Sequence, residues 1–223
     1  MTHWKNHFKY YDLFQNNYSK YLCMLEFHAK NLKKQKFILD SGAGTGNLTK
    51  LLINGNHKII ACDNNEFALK VLKQKCRSKN LSIKKINLSK KLPFPSNYFD
   101  GIASSIVIPY IFDTKKYIFE HARVLKPSGI MTISVALPEQ KLFEKIMGKL
   151  KKELIQKKLL PKYQKEYNQY CNTTKKNVAD ILKKNTTKKK ILTWLKQAGL
   201  KPILHKSSYG NAIAFIRCQK VNA

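Results

Sequence analysis

Short apolar, β-branched runs alternate with amphipathic segments over the middle of the chain. Such runs, bounded by turn-forming residues, predict buried strands, and they cover residues 37–40, 59–63, 83–88, 99–105 and 130–136. Helical patterns begin between them, near Gly46, Glu66 and Lys115. This alternation predicts right-handed βαβ units, and therefore a parallel sheet covered by helices on both faces.

The segments on either side of this region have a helical pattern. Residues 1–35 predict one or two helices before the first strand. Residues 139–186 are too long for a connecting loop and predict a helical insertion after the fifth strand. Apolar residues of the insertion recur near helical spacing, at Leu142, Ile146, Leu150, Leu154 and Leu159.

The last segment, residues 187–223, predicts one more helix and two more strands. The helix covers residues 188–198 and is stopped by Gly199. The strands cover residues 202–208 and 212–218, joined by a turn at Tyr209-Gly210-Asn211. The whole pattern predicts an α/β, Rossmann-like fold with a seven-stranded, mostly parallel sheet whose last two strands form a hairpin.

Length and composition favour one domain. A chain of 223 residues with 43% hydrophobic residues has enough apolar material for one core and not for two. We therefore predict a single domain over residues 1–223. It comprises N-terminal helices (1–35), a ligand-binding core (36–138), a helical insertion (139–186) and a final helix with a strand pair (187–223).

The chain is strongly basic, with Lys+Arg 43, Asp+Glu 13 and a formal net charge of +30. Such a charge attracts nucleic acid, anionic lipid or acidic substrates. The alternative explanation of the charge is a compositional bias of the sequence. Its basic residues are nearly all lysines, since the only arginines are Arg77, Arg123 and Arg217. Arg is the usual residue for bidentate phosphate and base recognition. The charge therefore leaves a nucleic-acid partner open without requiring one.

Cysteine and histidine positions predict no metal site. The five cysteines are scattered, with no C-x-x-C pair, which suits a reducing cytosol. His3 and His7 have i, i+4 spacing, but no cysteine or acidic cluster completes a zinc site, so we expect a solvated helix face there. No signal peptide or membrane-length apolar segment is visible, so we expect a soluble cytoplasmic protein. The oligomeric state is not determined.

The sharpest motif joins the first strand to the first helix of the core. Asp40 ends the strand, and Gly42, Gly44 and Gly46 follow in G-x-G-x-G spacing before a helical segment. Glycines let the backbone approach a ligand closely, and the N–H groups of a helix N-terminus point at it. The spacing differs from the G-x-G-x-x-G of the dinucleotide fingerprint.

An acidic residue ends the second predicted strand, at Asp63. A carboxylate at this position can accept hydrogen bonds from both hydroxyls of a ribose. It can also simply cap the following helix. Together with the glycine turn, Asp63 favours a nucleoside-binding site.

Four motifs in the same order give the chain a family resemblance. After the glycine turn and Asp63, residues 87–100 read NLSKKLPFPSNYFD, and residues 123–129 read RVLKPSG. The chain resembles the class I S-adenosylmethionine-dependent methyltransferases, particularly the methyltransferase-11-type group, which has a D-L-S-x-x-L-P-F-P-x-x-x-F-D stretch and an R-V-L-K-P-G-G turn. The resemblance covers about residues 37–138.

The resemblance implies S-adenosyl-L-methionine as cofactor and assigns its contacts. Asp40 and the glycine turn would hold the methionine part, and Asp63 would hold the ribose hydroxyls. Asn64 and Leu88 would flank the adenine. Backbone around Ser104 would meet the methionine amine. The implied cofactor-binding residues are Asp40, Gly42, Ala43, Gly44, Gly46, Asp63, Asn64, Asn87, Leu88 and Ser104.

Asn87 departs from the family, which usually has Asp at this position to accept from the adenine amino group. An Asn side-chain oxygen can accept the same bond without a charge. We therefore expect weaker rather than abolished binding.

Two aromatic residues are candidates to face the substrate. Tyr11, in Tyr10-Tyr11-Asp12, resembles a Y-D element that many relatives place over the cofactor, or else packs an N-terminal helix onto the sheet. Tyr110 stands where relatives often have His, so the obvious general base is missing. The catalytic residue is therefore not assigned.

The resemblance implies methyl transfer by in-line displacement, which requires alignment of the acceptor and exclusion of water. A small-molecule or lipid-like acceptor is the first hypothesis, with the insertion as a roof over the pocket. An RNA methyltransferase is the alternative favoured by charge. The element Ile108-Pro109-Tyr110 lacks the N-P-P-Y pattern used in base N-methylation. A catalytically inactive cofactor-binding interaction protein is the third hypothesis.

Overall fold

The computed structural model describes residues 2–139, 141–184, 186–208 and 211–222. Two helices come first, α1 (Thr2–Gln15) and α2 (Ser19–Leu32). The core follows as β1 (Phe37–Ser41), α3 (Asn47–Ile53), β2 (Lys58–Asp63), α4 (Glu66–Lys75), β3 (Leu81–Lys85), β4 (Phe99–Ser105), a 3₁₀ turn (Ile108–Tyr110), α5 (Thr114–Val124) and β5 (Leu125–Ala136). The chain continues as α6 (Leu142–Gln156), α7 (Gln164–Leu182), α8 (Lys188–Gln197), β6 (Leu200–Ser208) and β7 (Ile213–Lys220).

The strands form one seven-stranded sheet in the order β3-β2-β1-β4-β5-β7-β6. Strands β1 to β5 pair in parallel, whereas β7 is antiparallel to both of its neighbours, β5 and β6. The predicted α/β fold class is therefore confirmed, including the final hairpin. Of the predicted turn at Tyr209-Gly210-Asn211, Tyr209 and Gly210 lie outside the described residues.

Helices cover both faces of the sheet because side chains alternate along each strand. On one face, Leu39 and Ile102 lie in a core with α5 and α8. On the other face, Ile38 and Ala103 lie in a core with α1, α2, α3, α6 and α7. Three helices begin at side-chain caps: Asn65 caps α4, Asp113 caps α5 and Thr187 caps α8.

The predicted limits of the third and fifth strands were wrong for the same physical reason. The length of each strand is set by the residues with which its neighbouring strand pairs. The third strand was predicted over residues 83–88 and runs Leu81–Lys85, because its pairing with β2 ends where Asp63 meets Lys85. The fifth was predicted from residue 130 and begins at Leu125, which pairs with Phe99 before a register shift.

No helix among the described residues is long and apolar enough to span a membrane. Each helix there is too short or too polar to cross a bilayer.

Candidate active site

A cleft opens at the carboxyl ends of β1, β2 and β4. The strand order reverses here, because β1 has β2 on one side and β4 on the other, and open α/β sheets bind ligands at such switch points. The cleft has a volume of about 300 Å³, at the lower end of the range of ~300–1,000 Å³ for small-molecule sites. Side chains from α1 and the segment after β4 complete its walls.

The cleft brings together most of the site residues that the sequence predicted. Those that line it are Asp40, Gly42, Ala43, Gly44, Asp63, Asn64, Asn87, Leu88, Tyr11 and Tyr110. Gly46 and Ser104 do not line it. Except for Tyr11, which belongs to α1, these residues lie at strand ends or in the segments that follow, where a parallel sheet exposes its switch point.

The glycine turn is held against β2 by its own backbone. The N–H groups of Gly42 and Ala43 both donate to the Cys62 carbonyl, at 2.8 and 2.9 Å. Gly46 has φ +84°, and a Cβ there would lie 2.7 Å from Leu72 Cγ of α4. Gly44 has φ +52°, but a Cβ there would meet nothing closer than Phe8 at 3.7 Å. Gly46 is therefore required for helix packing, whereas the space at Gly44 faces α1 and the cleft.

Asp63 is positioned by backbone donors. Its Oδ2 accepts from Gly44 N at 3.0 Å, and its Oδ1 accepts from Asn65 N at 2.9 Å. Burial raises the pKa of this carboxyl, and the backbone N–H donors partly offset that rise. The backbone N–H of Asn64 also interacts with this carboxylate. A carboxylate has about four acceptor positions, so the side chain keeps capacity for a further hydrogen bond.

Asp40 is almost completely buried, with 1% of its surface exposed. Thr49 Oγ1 donates to its Oδ2 at 2.6 Å. Burial, and to a lesser degree the nearby Asp63 carboxylate, raise the pKa of Asp40 to about 6, against the Thr49 hydrogen bond. The two carboxylates make this end of the cleft favourable for a cation.

Ser104 lies inside the protein, below the cleft. It is fully buried and accepts a hydrogen bond from the Tyr117 hydroxyl at 2.9 Å. The next residue, Ser105, and then Ile106 and Val107 form that part of the cleft wall. The end of β4 therefore reaches the cleft through Ser105 and not through the Ser104 side chain. The predicted contact of the backbone around Ser104 with a methionine amine stays a prediction.

Asn87 lines the cleft with its carbonyl oxygen already engaged. Its Oδ1 accepts from Ser89 N at 3.0 Å, a local turn within the loop after β3. The oxygen keeps one acceptor direction.

The aromatic wall comes from α1. Tyr11 packs edge-on against Tyr21 of α2, with ring centroids 5.8 Å apart, and the two hydroxyls share a hydrogen bond. Tyr11 thus lines the cleft and also packs α1 against α2. Tyr110, in the 3₁₀ turn after β4, also lines the cleft and is 42% exposed.

His7 corrects a prediction from the sequence. We expected a solvated helix face at His3 and His7, and the His3 side chain lies outside the described part of the structure. His7 is 6% exposed, lines the cleft and stacks on Tyr170 of α7, with ring centroids 5.5 Å apart. The insertion packs against α1, which removes His7 from solvent, and a helical repeat alone does not reveal that contact. Among the described residues, no group of three or more His, Cys, Asp or Glu side chains is arranged to hold a metal.

Sequence reasoning missed the polar residues that join α1 to the glycine turn. Asp12 accepts from Thr45 Oγ1 at 2.6 Å and from Asn47 Nδ2 at 2.9 Å, and Lys75 Nζ lies 2.7 Å from its other oxygen. The available signal was the Asp of the Tyr-Asp pair, since a carboxylate near a helix C-terminus opposes the helix dipole.

No lysine or arginine lines the cleft in the part of the chain that the structure describes. The charged side chains of the lining are Asp40 and Asp63. The large positive charge of the chain therefore lies elsewhere.

Comparisons with known proteins agree with this geometry. Residues 39–133 match the family model of the methyltransferase domain. That match spans β1 to β5 and contains the glycine turn and Asp63. These residues form a class I S-adenosylmethionine-dependent methyltransferase domain of the methyltransferase-11 type.

Individual relatives resemble this methyltransferase domain over part of their length. The ubiquinone/menaquinone biosynthesis C-methyltransferase UbiE of Proteus mirabilis is 32% identical over 112 residues, which are 47% of this chain and 44% of that protein. The chain therefore matches less than half the length of this relative.

Solved structures share the fold across nearly the whole chain. An S-adenosylmethionine dependent methyltransferase from Mesorhizobium loti has a TM-score of 0.65 at 13% identity, covering 92% of this chain and 99% of that one. The 1,6-didemethyltoxoflavin-N1-methyltransferase of Burkholderia thailandensis, solved with bound 1,6-didemethyltoxoflavin and S-adenosylhomocysteine, has a TM-score of 0.61 at 16% identity, covering 90% of this chain and 77% of that one.

Proposed function

We propose that this chain binds S-adenosyl-L-methionine in the cleft and transfers its methyl group to a small-molecule or lipid-like acceptor. The observation that carries the proposal is the joint arrangement of the glycine turn, Asp40 and Asp63 in a cleft without basic side chains. The acceptor class is supported, but not identified, by the relatives named above.

The residues of the cleft fit this cofactor. Asp63 lines the cleft and its carboxylate keeps acceptor capacity beyond its backbone donors, which suits a ribose hydroxyl. The glycine turn and Asp40 would hold the methionine part, with the backbone near Ser105 receiving its amine. Asn64, Asn87 and Leu88 would surround the adenine. A cationic cofactor is also favoured by the two carboxylates.

The bound cofactor supplies an activated methyl group on a sulfonium. The chain contributes binding, orientation and exclusion of water, which suffices when the acceptor atom is already nucleophilic. The aromatic side chains of α1 provide an apolar surface against which an acceptor can be aligned. An acceptor that must lose a proton needs a general base. His7 is our candidate for that base, because it is the histidine among the described lining residues.

The missing basic residues argue against a nucleic-acid acceptor. A base that enters an active site carries flanking phosphates, which proteins contact with Lys and Arg. A chain with 43 such residues has none in the described lining of this cleft. The relatives favour the same conclusion, since one acts in quinone biosynthesis by name and another was solved with a small heterocycle.

Two measurements test the proposal. Isothermal titration with S-adenosylmethionine and S-adenosylhomocysteine should give saturable, one-to-one binding. Labelled cofactor incubated with fractionated cell extract should then place the label in small molecules or lipid. Label in RNA would replace the proposed acceptor class, binding without any label transfer would favour an inactive cofactor-binding protein, and absence of binding would remove the proposal.

A further inference from the structure

The carboxylate of Asp12 joins parts of the protein that are far apart in sequence. Asp12 lies in α1, its partners Thr45 and Asn47 belong to the glycine turn and the start of α3, and Lys75 ends α4. The three contacts measure 2.6 to 2.9 Å. Asp12 does not itself line the cleft, whereas its partners Thr45 and Asn47 do, so the network contacts the cleft wall from behind.

The partners of Asp12 also fix one another. Lys75 Nζ donates to Asn47 Oδ1 at 2.7 Å, which orients the amide so that its nitrogen faces Asp12. Asn47 Nδ2 also donates to the hydroxyl of Tyr21 in α2, at 3.1 Å. The Lys75 and Asp12 side chains are 19% and 28% exposed. A partly buried, charge-assisted network is stronger than an exposed ion pair.

Asp12 does not stabilise its own helix. It lies in the last turn of α1, where the helix dipole disfavours a negative charge. Its favourable interactions are therefore with other elements, and all three reach the glycine turn or the helices beside it.

The helix held by Asp12 forms one wall of the cleft. His7, Phe8 and Tyr11 of α1 line it. Phe8 Cε1 lies 3.7 Å from the position that a Cβ on Gly44 would occupy, so α1 lies directly over the glycine turn. Any movement of α1 away from this turn opens the cleft.

We propose that Asp12 is a positioning residue that latches α1 onto the glycine turn, and that ligand exchange at the cleft is limited by the opening of this latch. The statement about ligand exchange rests on the proposed function. Asp12 acts through Thr45, Asn47 and Lys75 and needs no contact with the ligand.

Dissociation kinetics of S-adenosylhomocysteine from the full chain test the statement about ligand exchange. Asp12→Asn and Lys75→Met should each raise the dissociation rate by about tenfold, and the double variant should add little, because both changes break one network. The matched control is Glu66→Gln, which removes the exposed Lys85 ion pair at the other end of α4 and should leave the rate unchanged. Wild-type rates in both variants, or equal acceleration in the control, would overturn the latch.

Amide hydrogen exchange without ligand tests the latch independently of the proposed function. Both variants should speed exchange throughout α1, whereas Glu66→Gln should not. If α1 exchange is unchanged in Asp12→Asn and in Lys75→Met, the latch is wrong even where the cofactor binds. If wild-type protein binds no S-adenosylhomocysteine but α1 exchange rises, the proposed function fails and the structural latch remains. Lys75→Met is the milder change should Asp12→Asn fail to fold.

Discussion

The cleft and the exterior of this protein differ in charge. The chain as a whole has a formal net charge of +30, almost all of it from lysine. The described lining of the cleft has two carboxylates and neither lysine nor arginine. A uniform compositional bias would place lysine in both regions. The difference indicates that the composition of the cleft is constrained by its ligand, whereas the exterior tolerates or uses the excess charge.

The largest expected effect concerns the protein interior, where two histidines are buried and neutral. Burial lowers the pKa of His28 to about 3 and that of His121 to about 4. Both values are depressed relative to the unfolded chain, so stability is lost as pH falls below about 6.5. At pH 4.5 the two histidines should cost about 5 kcal/mol, and protonation of Asp40, whose pKa is raised, should offset about 2 kcal/mol.

Urea unfolding at pH 7 and pH 4.5 measures this loss. The control is His205→Gln, since His205 is exposed on β6 and should leave the pH dependence of stability unchanged. Equal stability at the two pH values would contradict burial of neutral His28 and His121.

The second prediction concerns the exterior. If its lysines act only as diffuse charge, RNA binding should be indifferent to sequence and should weaken about 100- to 1,000-fold between 50 and 200 mM salt, assuming about six phosphate contacts. S-adenosylhomocysteine binding should change little over the same range. Filter binding with two unrelated RNAs checks the first part and titration calorimetry the second. Selective RNA binding at physiological salt, with methyl transfer to that RNA, would overturn the contrast between cleft and exterior.

The third prediction concerns the Asp63 carboxylate, which lines the cleft. Asp63→Ala should weaken cofactor binding by about 1 to 3 kcal/mol, the usual cost of losing hydrogen bonds to a charged group. The matched control is Asp180→Asn, because Asp180 pairs with Lys183 on the exterior of α7 and should bind with wild-type affinity. Calorimetry that gives equal affinities for the two variants would remove Asp63 from the site.

The smallest effect is expected at Asn87. Asn87→Asp keeps an oxygen for Ser89 N and offers a charged one to the adenine amino group, and a charge-assisted bond is roughly twice as strong as a neutral one. Desolvation of the carboxylate offsets part of this gain, so binding should tighten only about two- to fivefold. An affinity that falls about tenfold or more by isothermal titration would show that this side chain does not accept from adenine.

Much of the site was predictable because its residues follow strand ends. Periodicity located the strands, and parallel pairing then required Asp40 and Asp63 to lie at one edge. The Ser104 side chain is buried below the cleft, since neighbouring residues of a strand face opposite sides. The prediction of a solvated helix face failed at His7 because the contact with Tyr170 joins α1 to the insertion.

The sequence by itself determined the fold class, the glycine turn and the acidic residue of the neighbouring strand, because these depend on local spacing and on the two-residue period of strands. Tertiary structure decided the strand limits, the burial of His7, the network around Asp12 and the absence of basic residues from the described cleft lining. Each of these depends on which distant segments meet, such as α1 with α7 and Lys75 with Asp12. Neither spacing nor composition carries that information, since contacts between distant segments are set by the packing of the whole sheet and its helices.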